Sequence, residues 1–531
     1  MIHYAVSARI MSPAGARPVL IVGAGPTGLV LALWLTRLGV RVRIVDKAAE
    51  PGTTSRALAV QARTLELYRP LGLASTVGER GVRVVAVNFW AGKARVARAI
   101  FGDGGVGLSP FPYAIIFPQD EHERLLIERL REAGVSVERR VELVGVEDAG
   151  DRARARLRGA EGGEEVFEAA YVAGCDGASS TLRDALAIGF PGGTYEHLFY
   201  VADVEARAPA NDGQLHGTLD TAEFLLVFPL KGERRARLIG VVRDEAEHRR
   251  DRLTWDDVSK DIMARMGVAV ERVNWFSTYH VHHRVADRFR KGRAFLLGDA
   301  AHIHSPVGGQ GMNTGIGDAV NLAWKLADVL QGRAPASLLD SYEAERIAFA
   351  RRLVATTDRV FTLVTSRGPI ARFVRTKVVP VLVPLVFRAR AARWLMFRTI
   401  SQTGVSYRDS PLSAGRAGRV HGGDRLPWVE AADNFAPLDS LAWQVHVYGE
   451  AAPEIEAACR QRQLPLHVVE WRSAMRRTGL QRDAVYLVRP DGYVALADPD
   501  ARPSTLTRYL DTHLAATRAE VAVTPAAHRL D

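Results

Sequence analysis

The chain has 531 residues, of which 47% are hydrophobic and 24% charged, with a formal net charge of +10 and two cysteines, Cys175 and Cys459. This size and apolar content predict two or three domains with substantial cores, and so few cysteines exclude a disulfide framework and fit a reducing, cytoplasmic setting. The charge excess lies entirely between Arg359 and Arg408, which hold ten basic residues and no acidic one; no nucleic-acid-binding motif accompanies it, so a nucleic-acid partner is excluded.

Residues 1–16 lack the apolar stretch of a signal peptide and are expected to form a disordered tail. Val19–Val22 follows as an apolar strand, Gly23–Gly28 as a turn, Leu29–Leu38 as a helix ended by Gly39, and Val40–Val45 as a strand closing on Asp46. The Gly-x-Gly-x-x-Gly pattern therefore sits inside a βαβ unit, where its chemistry requires it. Gly23 permits the tight turn, Gly25 lets the backbone approach a pyrophosphate, and Gly28 lets the helix close on the strand. The helix N-terminus presents amides to the anion. Asp46, 18 residues after Gly28, is placed to accept bonds from ribose hydroxyls.

Arg56–Gln61 reads as a loop, Thr64–Leu71 and Gln119–Gly134 as helices, and Val135–Val146 and Val166–Ala173 as strands around a charged turn. Leu198–Glu205, Gln214–Leu219, Glu223–Leu230 and Arg237–Arg243 alternate or run apolar and suggest an inserted sheet, followed by a helical Trp255–Met266 and an extended Arg272–His283. The strand at Ala294 then ends on Gly298-Asp299, a pair that can reach a ribityl or ribose chain. Two such turns, about 270 residues apart, grip one dinucleotide at both ends and point to FAD. Asn313–Leu330 and Ser337–Thr357 are helical. The basic segment contains Val378–Phe387, too short to span a bilayer and broken by two prolines. Ser410–Pro427 has the Gly, Arg and Pro content of a linker. Beyond it, strands at Leu441–Tyr448 and Leu466–Glu470, a hairpin at Val485–Val488 and Tyr493–Ala497, and helices at Pro453–Arg462 and Ser504–Ala515 are expected.

With Cys175-Asp176-Gly177 as a third motif, the chain resembles the FAD-dependent aromatic hydroxylases, single-component class A flavoprotein monooxygenases of the para-hydroxybenzoate and phenol hydroxylase type. The longest match is Gly298-Asp-Ala-Ala-His-Ile-His-Ser-Pro-Val-Gly-Gly-Gln-Gly-Met-Asn313. The resemblance implies an α/β fold with a Rossmann-type FAD-binding domain at 17–195 and 285–410, including basic linker helices at 359–408. An inserted β-sheet substrate domain would occupy 196–284 and a thioredoxin-like domain 411–531; the latter lacks Cys-x-x-Cys and is assigned no redox role. By the same resemblance, Gly23, Gly25, Pro26, Thr27, Gly28, Asp46 and Lys47 belong to the cofactor site around the first turn. Arg56 and Gln119 meet the phosphate and ribityl region, Asp299 bonds the ribityl hydroxyls, and Asp176 lies near the cofactor. Pro306 and the Gly308–Gly311 backbone, Gly309 and Gly311 included, line the isoalloxazine and substrate, and Met312 and Asn313 also belong to the cofactor site. The implied reaction is reduction of FAD by NADPH or NADH, formation of a C4a-hydroperoxyflavin with oxygen, and hydroxylation of a phenolic or polyketide-type aromatic. No metal is called for.

The residues themselves do not identify a catalytic base. His216, Phe228, His302 and Pro306 are the candidates near the chemistry, with Phe224 and Leu226 as further substrate-wall candidates. For His302 and the neighbouring His304 the alternatives are a proton relay or a packed, capping role; for the sheet residues, a substrate wall or ordinary core. Arg284 either meets a nicotinamide-nucleotide phosphate or pairs with Asp287, and Cys175 reads as a structural thiol. Two other functions stay open: a same-fold monooxygenase that modifies or inactivates a multi-ring antibiotic, and a non-catalytic FAD-binding protein docking an acidic partner. Segment 359–408 is either a set of helices packed on the main domain or a surface for an anionic membrane or acidic protein. Monomer and homodimer both fit.

Overall fold

A computed structural model of the chain describes residues 16–514 except 53–56, 85, 101, 208–211, 219–224, 243–252, 306, 366–367 and 369–372. The expected tail therefore lies outside the described residues, Ala16 excepted, as do Arg56, Phe224 and Pro306.

Unbroken apolar runs build the first sheet. Ala294–Leu296, Tyr171–Gly174, Val19–Val22 and Val42–Asp46 lie side by side in parallel, with Val137–Arg139 parallel at one edge and Arg290–Lys291 antiparallel at the other. Both faces are covered, so Val19, Leu20 and Ile21 are wholly buried and no polar alternation appears. The helix Pro26–Arg37 packs against Gln119–Glu132 and Gly311–Leu330. It begins three residues before the expected Leu29, because Pro26 lacks only an amide hydrogen that a first helical turn leaves unbonded. The charged turn expected after Val146 contains a strand, Ala153–Arg158. Its Ala153, Ala155 and Leu157 point into the core between outward arginines.

The second sheet has eight strands in the order His302–Ile303, Ala269–Val285, Gly192–Arg207, Arg235–Val241, Leu225–Pro229, Leu215–Thr218, Ala86–Ala91 and Ala94–Ile100. It reaches beyond the 196–284 insertion at both edges. The hairpin at 86–100 joins through a parallel pairing of Leu215–Thr218 with Ala86–Ala91, which no local pattern announces. One face carries Tyr200, Ala202, Val227 and Leu238 against the short helix Lys260–Arg265. The opposite face carries Val201 and Ile239 against Leu58, Val84 and Ile116 from the neighbourhood of the first sheet.

The C-terminal sheet runs Val420–His421, Ala414–Ala417, Val494–Asp498, Val485–Val488, Gln444–Tyr448, Leu466–Val469. Its strand–helix–parallel strand unit followed by a hairpin and the helix Pro503–His513 gives a thioredoxin-like order. The expected linker at 410–427 is a structured part of this unit, with Leu412, Ala417, Val420 and Leu426 buried. The unit is fastened to the first domain by buried charge. Glu345 of the helix Asp340–Thr365 accepts from Arg489 at 2.7 Å, Lys325 at 2.9 Å and Ser410 at 2.7 Å, and Asp491 bridges Arg489 at 2.6 Å and the Trp324 indole at 3.1 Å. The expected fold class is thus borne out. Among the described residues no helix is long and apolar enough to cross a membrane.

Candidate cofactor and substrate site

Every glycine-bearing motif leaves the same edge of the first sheet. Because the four central strands are parallel, Val22, Asp46, Gly174 and Leu296 end side by side, and the turns after them share one crevice. Val45 accepts from the Gly23 amide at 2.8 Å and Val22 from the Cys175 amide at 2.7 Å. A Cβ at Gly28 would overlap the Gly23 carbonyl and stand 3.2 Å from the Cys175 side chain, so the helix closes on its strand only through glycine. At Gly25 a Cβ would meet no protein atom within 4 Å. The space over that turn is left to a ligand, and the helix behind it has neither an acidic residue in its first turn nor a side chain capping its amides. Its positive end is uncompensated, as a pyrophosphate requires.

Asp46 braces this cradle. Its carboxylate accepts from the Ala24 amide at 2.7 Å and the Ala48 amide at 2.8 Å, with Arg139 at 3.8 Å; Lys47 beside it is exposed. Thr27 joins the two halves: its hydroxyl lies against Gly298 and Gly315, both of which need to lack a side chain there. Asp299 is exposed on the turn. Gln119 holds Glu123 at 2.8 Å and accepts from the Ala57 amide at 3.4 Å. Asp176 accepts from the Ser180 hydroxyl at 2.6 Å and the Leu182 amide at 3.1 Å, capping the helix Thr181–Ala185; burial nevertheless raises its carboxyl above the ordinary value. Burial, with the carboxylates of Asp176 and Asp318, also pushes the Cys175 thiol well up, which keeps it unreactive.

The loop Gly308–Gln310 enters the helix Gly311–Leu330 through left-handed glycines, Gly308 at φ 77° and Gly309 at φ 60°. Asn313 is the hub beneath it. Its amide nitrogen donates to the Ala59 and Gly309 carbonyls at 2.8 Å each, and its oxygen accepts from the Gln61 amide at 2.9 Å and the Thr64 hydroxyl at 2.7 Å. Gln61 in turn holds the Gly308 carbonyl at 3.0 Å. From the far side, Gln402, at φ 61°, donates to the Thr314 hydroxyl at 2.8 Å. Gln61, Thr64 and Gln402 carry no motif, and only the fold reveals them. Met312 packs part-buried on the core, and this helix too has no acidic residue in its first turn.

The histidine candidates separate. His302 is buried on Asp318 at 2.7 Å; Asp318 also accepts from the Gly298 amide at 3.0 Å and from Arg346 at 2.5 Å. His302 is thus part of the brace under the Gly-Asp turn. Burial raises the Asp318 carboxyl, but Arg346 and His302 outweigh it and hold it below its ordinary range. His216 pairs in register with Val227 and so lies on the face away from Leu58 and Ile116. Trp90 donates to its Nδ1 at 3.0 Å and its Nε2 meets Asp212 at 2.8 Å, so both nitrogens are occupied. His304 differs: Nδ1 donates to the Ser305 carbonyl at 2.8 Å, and buried Nε2 has no partner among the described residues. Burial, reinforced by His302, lowers its pKa to about 4. A neutral imidazole with a bare Nε2 can accept a hydrogen bond from a ligand hydroxyl.

Leu226 and Phe228 stand on the face toward the first domain, with Leu215, Trp275 and Tyr279 part-buried around Val201 and Ile239. Phe199, Val241 and Val281 extend this wall, with Tyr195 beside them. Arg284 makes no ion pair with Asp287 among the described residues; its guanidinium lies 6.0 Å over Phe190, and its Nε is buried without a partner.

A family model for the FAD binding domain matches residues 16–357. A 6-methylpretetramide 4-monooxygenase from Streptomyces rimosus is 35% identical over 527 residues, covering 93% of this chain and 92% of that protein. Among solved structures, an anhydrotetracycline hydroxylase from Streptomyces rimosus superposes with a TM-score of 0.75 at 30% identity, over 94% of this chain and 99% of that one. A ternary complex of aklavinone-11 hydroxylase with FAD and aklavinone gives a TM-score of 0.73 at 26% identity, over 93% and 98%.

Proposed function

This chain belongs to the FAD-binding domain family and is an FAD-dependent, NAD(P)H-using monooxygenase, and from that premise we propose that it hydroxylates a fused-ring aromatic polyketide. The observation that carries the choice of substrate is the apolar wall. It spans five neighbouring strands from Trp275 and Tyr279 to Leu215, roughly 19 Å at the usual strand spacing, which suits several fused rings better than one. The named relatives and solved neighbours act on or bind molecules of that kind.

Bound FAD supplies the electron transfer from NAD(P)H and the activation of oxygen. The residues around it bind, orient and keep out water. Gly23–Gly28 and the exposed end of its helix hold the pyrophosphate, while Asp46 and Asp299 offer carboxylates to the two sugar chains. The amides of Gly308–Met312, at the positive end of the long helix, favour negative charge placed against them. Phe199, Val241, Tyr279 and Phe228 press the substrate ring into an apolar, water-poor space. His304 Nε2, without a partner among the described residues, can take a substrate hydroxyl. Lys47, Gln119, Asp176, Met312 and Asn313 belong to the cofactor surround, Asp176 and Asn313 by holding backbone.

The test is to confirm the flavin by absorbance and follow NADPH and NADH oxidation with tetracyclic and anthracyclinone-type polyketides beside single-ring phenols. Stimulated oxidation with an oxygenated fused-ring product is expected. Turnover of phenols alone would refute the polyketide assignment, and stimulation by a finished antibiotic with loss of its potency would move the reading to antibiotic modification.

A further inference from the structure

The basic segment carries a second, uncovered surface. The helices Val379–Arg388 and Arg390–Ile400 lie on the outside, the first along the strand Ala94–Ile100 and the second on the turn Gly102–Gly105. Phe397 seats the second helix: it is 3% exposed, and a side chain at Gly105 would run into its ring. The outward side is unusual for a protein surface. Val381, Leu382 and Leu385 are 69%, 50% and 58% exposed, and Leu395 on the next helix is 61% exposed. Residues 381, 382, 385 and 386 share one helical face. Around them stand the exposed Lys377, Arg388 and Arg390, with Arg398 stacked 4.4 Å over the Trp394 ring. From Arg359 to Arg408 there is no carboxylate to balance them.

We propose that this face docks on a lipid bilayer with anionic headgroups. Charge decides against a second copy of the chain, because a two-fold contact would set the same cations against each other. Exposure weighs against a folded acidic protein: four aliphatic side chains 50–69% exposed are covered by fluid acyl chains whatever their outline, whereas a folded protein would need a matching apolar groove. A ten-residue helix is far too short to span, so it lies in the interface plane, apolar side inward and arginines at headgroup level, with Trp394 at the boundary. Exposed Ile100 and Val106 continue the patch toward the edge of the eight-stranded sheet. Docking would therefore hold the substrate wall close to the lipid in which a fused-ring aromatic dissolves. That last link rests on the proposed function; the docking does not.

The FAD-loaded full chain is floated with vesicles of phosphatidylcholine alone or mixed with phosphatidylglycerol, with no substrate present. Recovery with the mixed vesicles and little with the neutral ones is expected. Arg388→Gln and Arg390→Gln should each weaken partition about five-fold, and Leu382→Ser with Leu385→Ser should abolish it while leaving NAD(P)H oxidation unchanged. Equal recovery from both vesicle types, or partition indifferent to the leucine changes, overturns the proposal. So does a dimer that the leucine changes dissociate, or retention on immobilised polyglutamate without vesicle binding, which would assign the face to a second copy or to an acidic protein. Failure of docking with polyketide turnover intact refutes only the docking.

Discussion

Asp318→Asn tests whether the buried brace under the Gly-Asp turn sets cofactor affinity. The substitution keeps the shape of the side chain and removes its charge. Asp318 is fully buried, and its carboxylate serves the Gly298 amide, His302 and Arg346 together. Arg346, itself 3% exposed, would keep only the Tyr407 hydroxyl and the Thr314 carbonyl as partners. A guanidinium left uncompensated in the interior costs about 3–5 kcal/mol. An unpaired donor at Gly298 or His302 would cost about 1–3 kcal/mol more, but the two losses share one network and do not add. We therefore expect about 4 kcal/mol lost in urea unfolding of the FAD-loaded protein. FAD affinity should fall at least about ten-fold, the equivalent of 1.4 kcal/mol, as Gly298 is released. The wild-type carboxylate is held below its ordinary 3.8, so its stabilising share is complete above that pH and fades only as pH falls below it. The comparison therefore belongs at neutral pH. A variant within about 1 kcal/mol of wild type, with unchanged FAD affinity, would refute the reasoning.

Gly25→Ala and Gly28→Ala form a contrasting pair. The first adds a Cβ where no protein atom stands, so the chain should fold but purify without flavin absorbance; the second drives the helix off its strand and should cost both fold and flavin. Flavin retained in Gly25→Ala would refute the cradle. Glu345→Ala leaves Arg489 and Lys325 buried without their shared carboxylate and should cost about 3–5 kcal/mol, read as a lowered Tm, with an unchanged Tm counting against the charge clamp. Burial lowers His122 and His304 to about 4, and His446 to about 3, from an ordinary 6.5. Because the unfolded chain takes these protons first, stability is whole above pH 6.5 and falls as pH drops toward 4, by about 1.4 kcal/mol per pH unit for each histidine. A Tm flat from pH 7.5 to 5 would contradict this, and His446→Gln should remove part of the slope.

What the sequence made legible was whatever chemistry needs in one contiguous run. The glycine turn, Asp46 and the Gly298–Asn313 stretch are local because a pyrophosphate or a helix end is reached by consecutive backbone amides. The supports beneath them are long-range. Asn313 meets Gln61 across 252 positions, and Gln402 meets Thr314 across 88, and neither glutamine differs in sequence from a surface one. His216 and Phe228 look equally placed along the chain, yet pairing register puts them on opposite faces of the sheet. The segment 410–427 reads as a linker for its glycines, while its scattered Leu412, Val420 and Leu426 are too few to show a period. Conversely, the ten cations of 359–408 and the apolar run among them are plain in the chain, but that Val381, Leu382 and Leu385 face outward is a property of the fold.

The parallel pairing of Leu215–Thr218 with Ala86–Ala91 has a consequence for how the chain is made. The hairpin at 86–100 leaves the ribosome 115 residues before its partner strand begins, about 6 to 23 s at ordinary synthesis speed. A lone hairpin is barely stable in water, so through that interval it waits with both edges open. Its outer strand, Ala94–Ile100, carries exposed Arg95 and Arg98, with Lys93 in the turn before it, the kind of charge that discourages a nascent edge from pairing with a stranger. Slower translation would lengthen that wait, and the yield of soluble protein should fall with it.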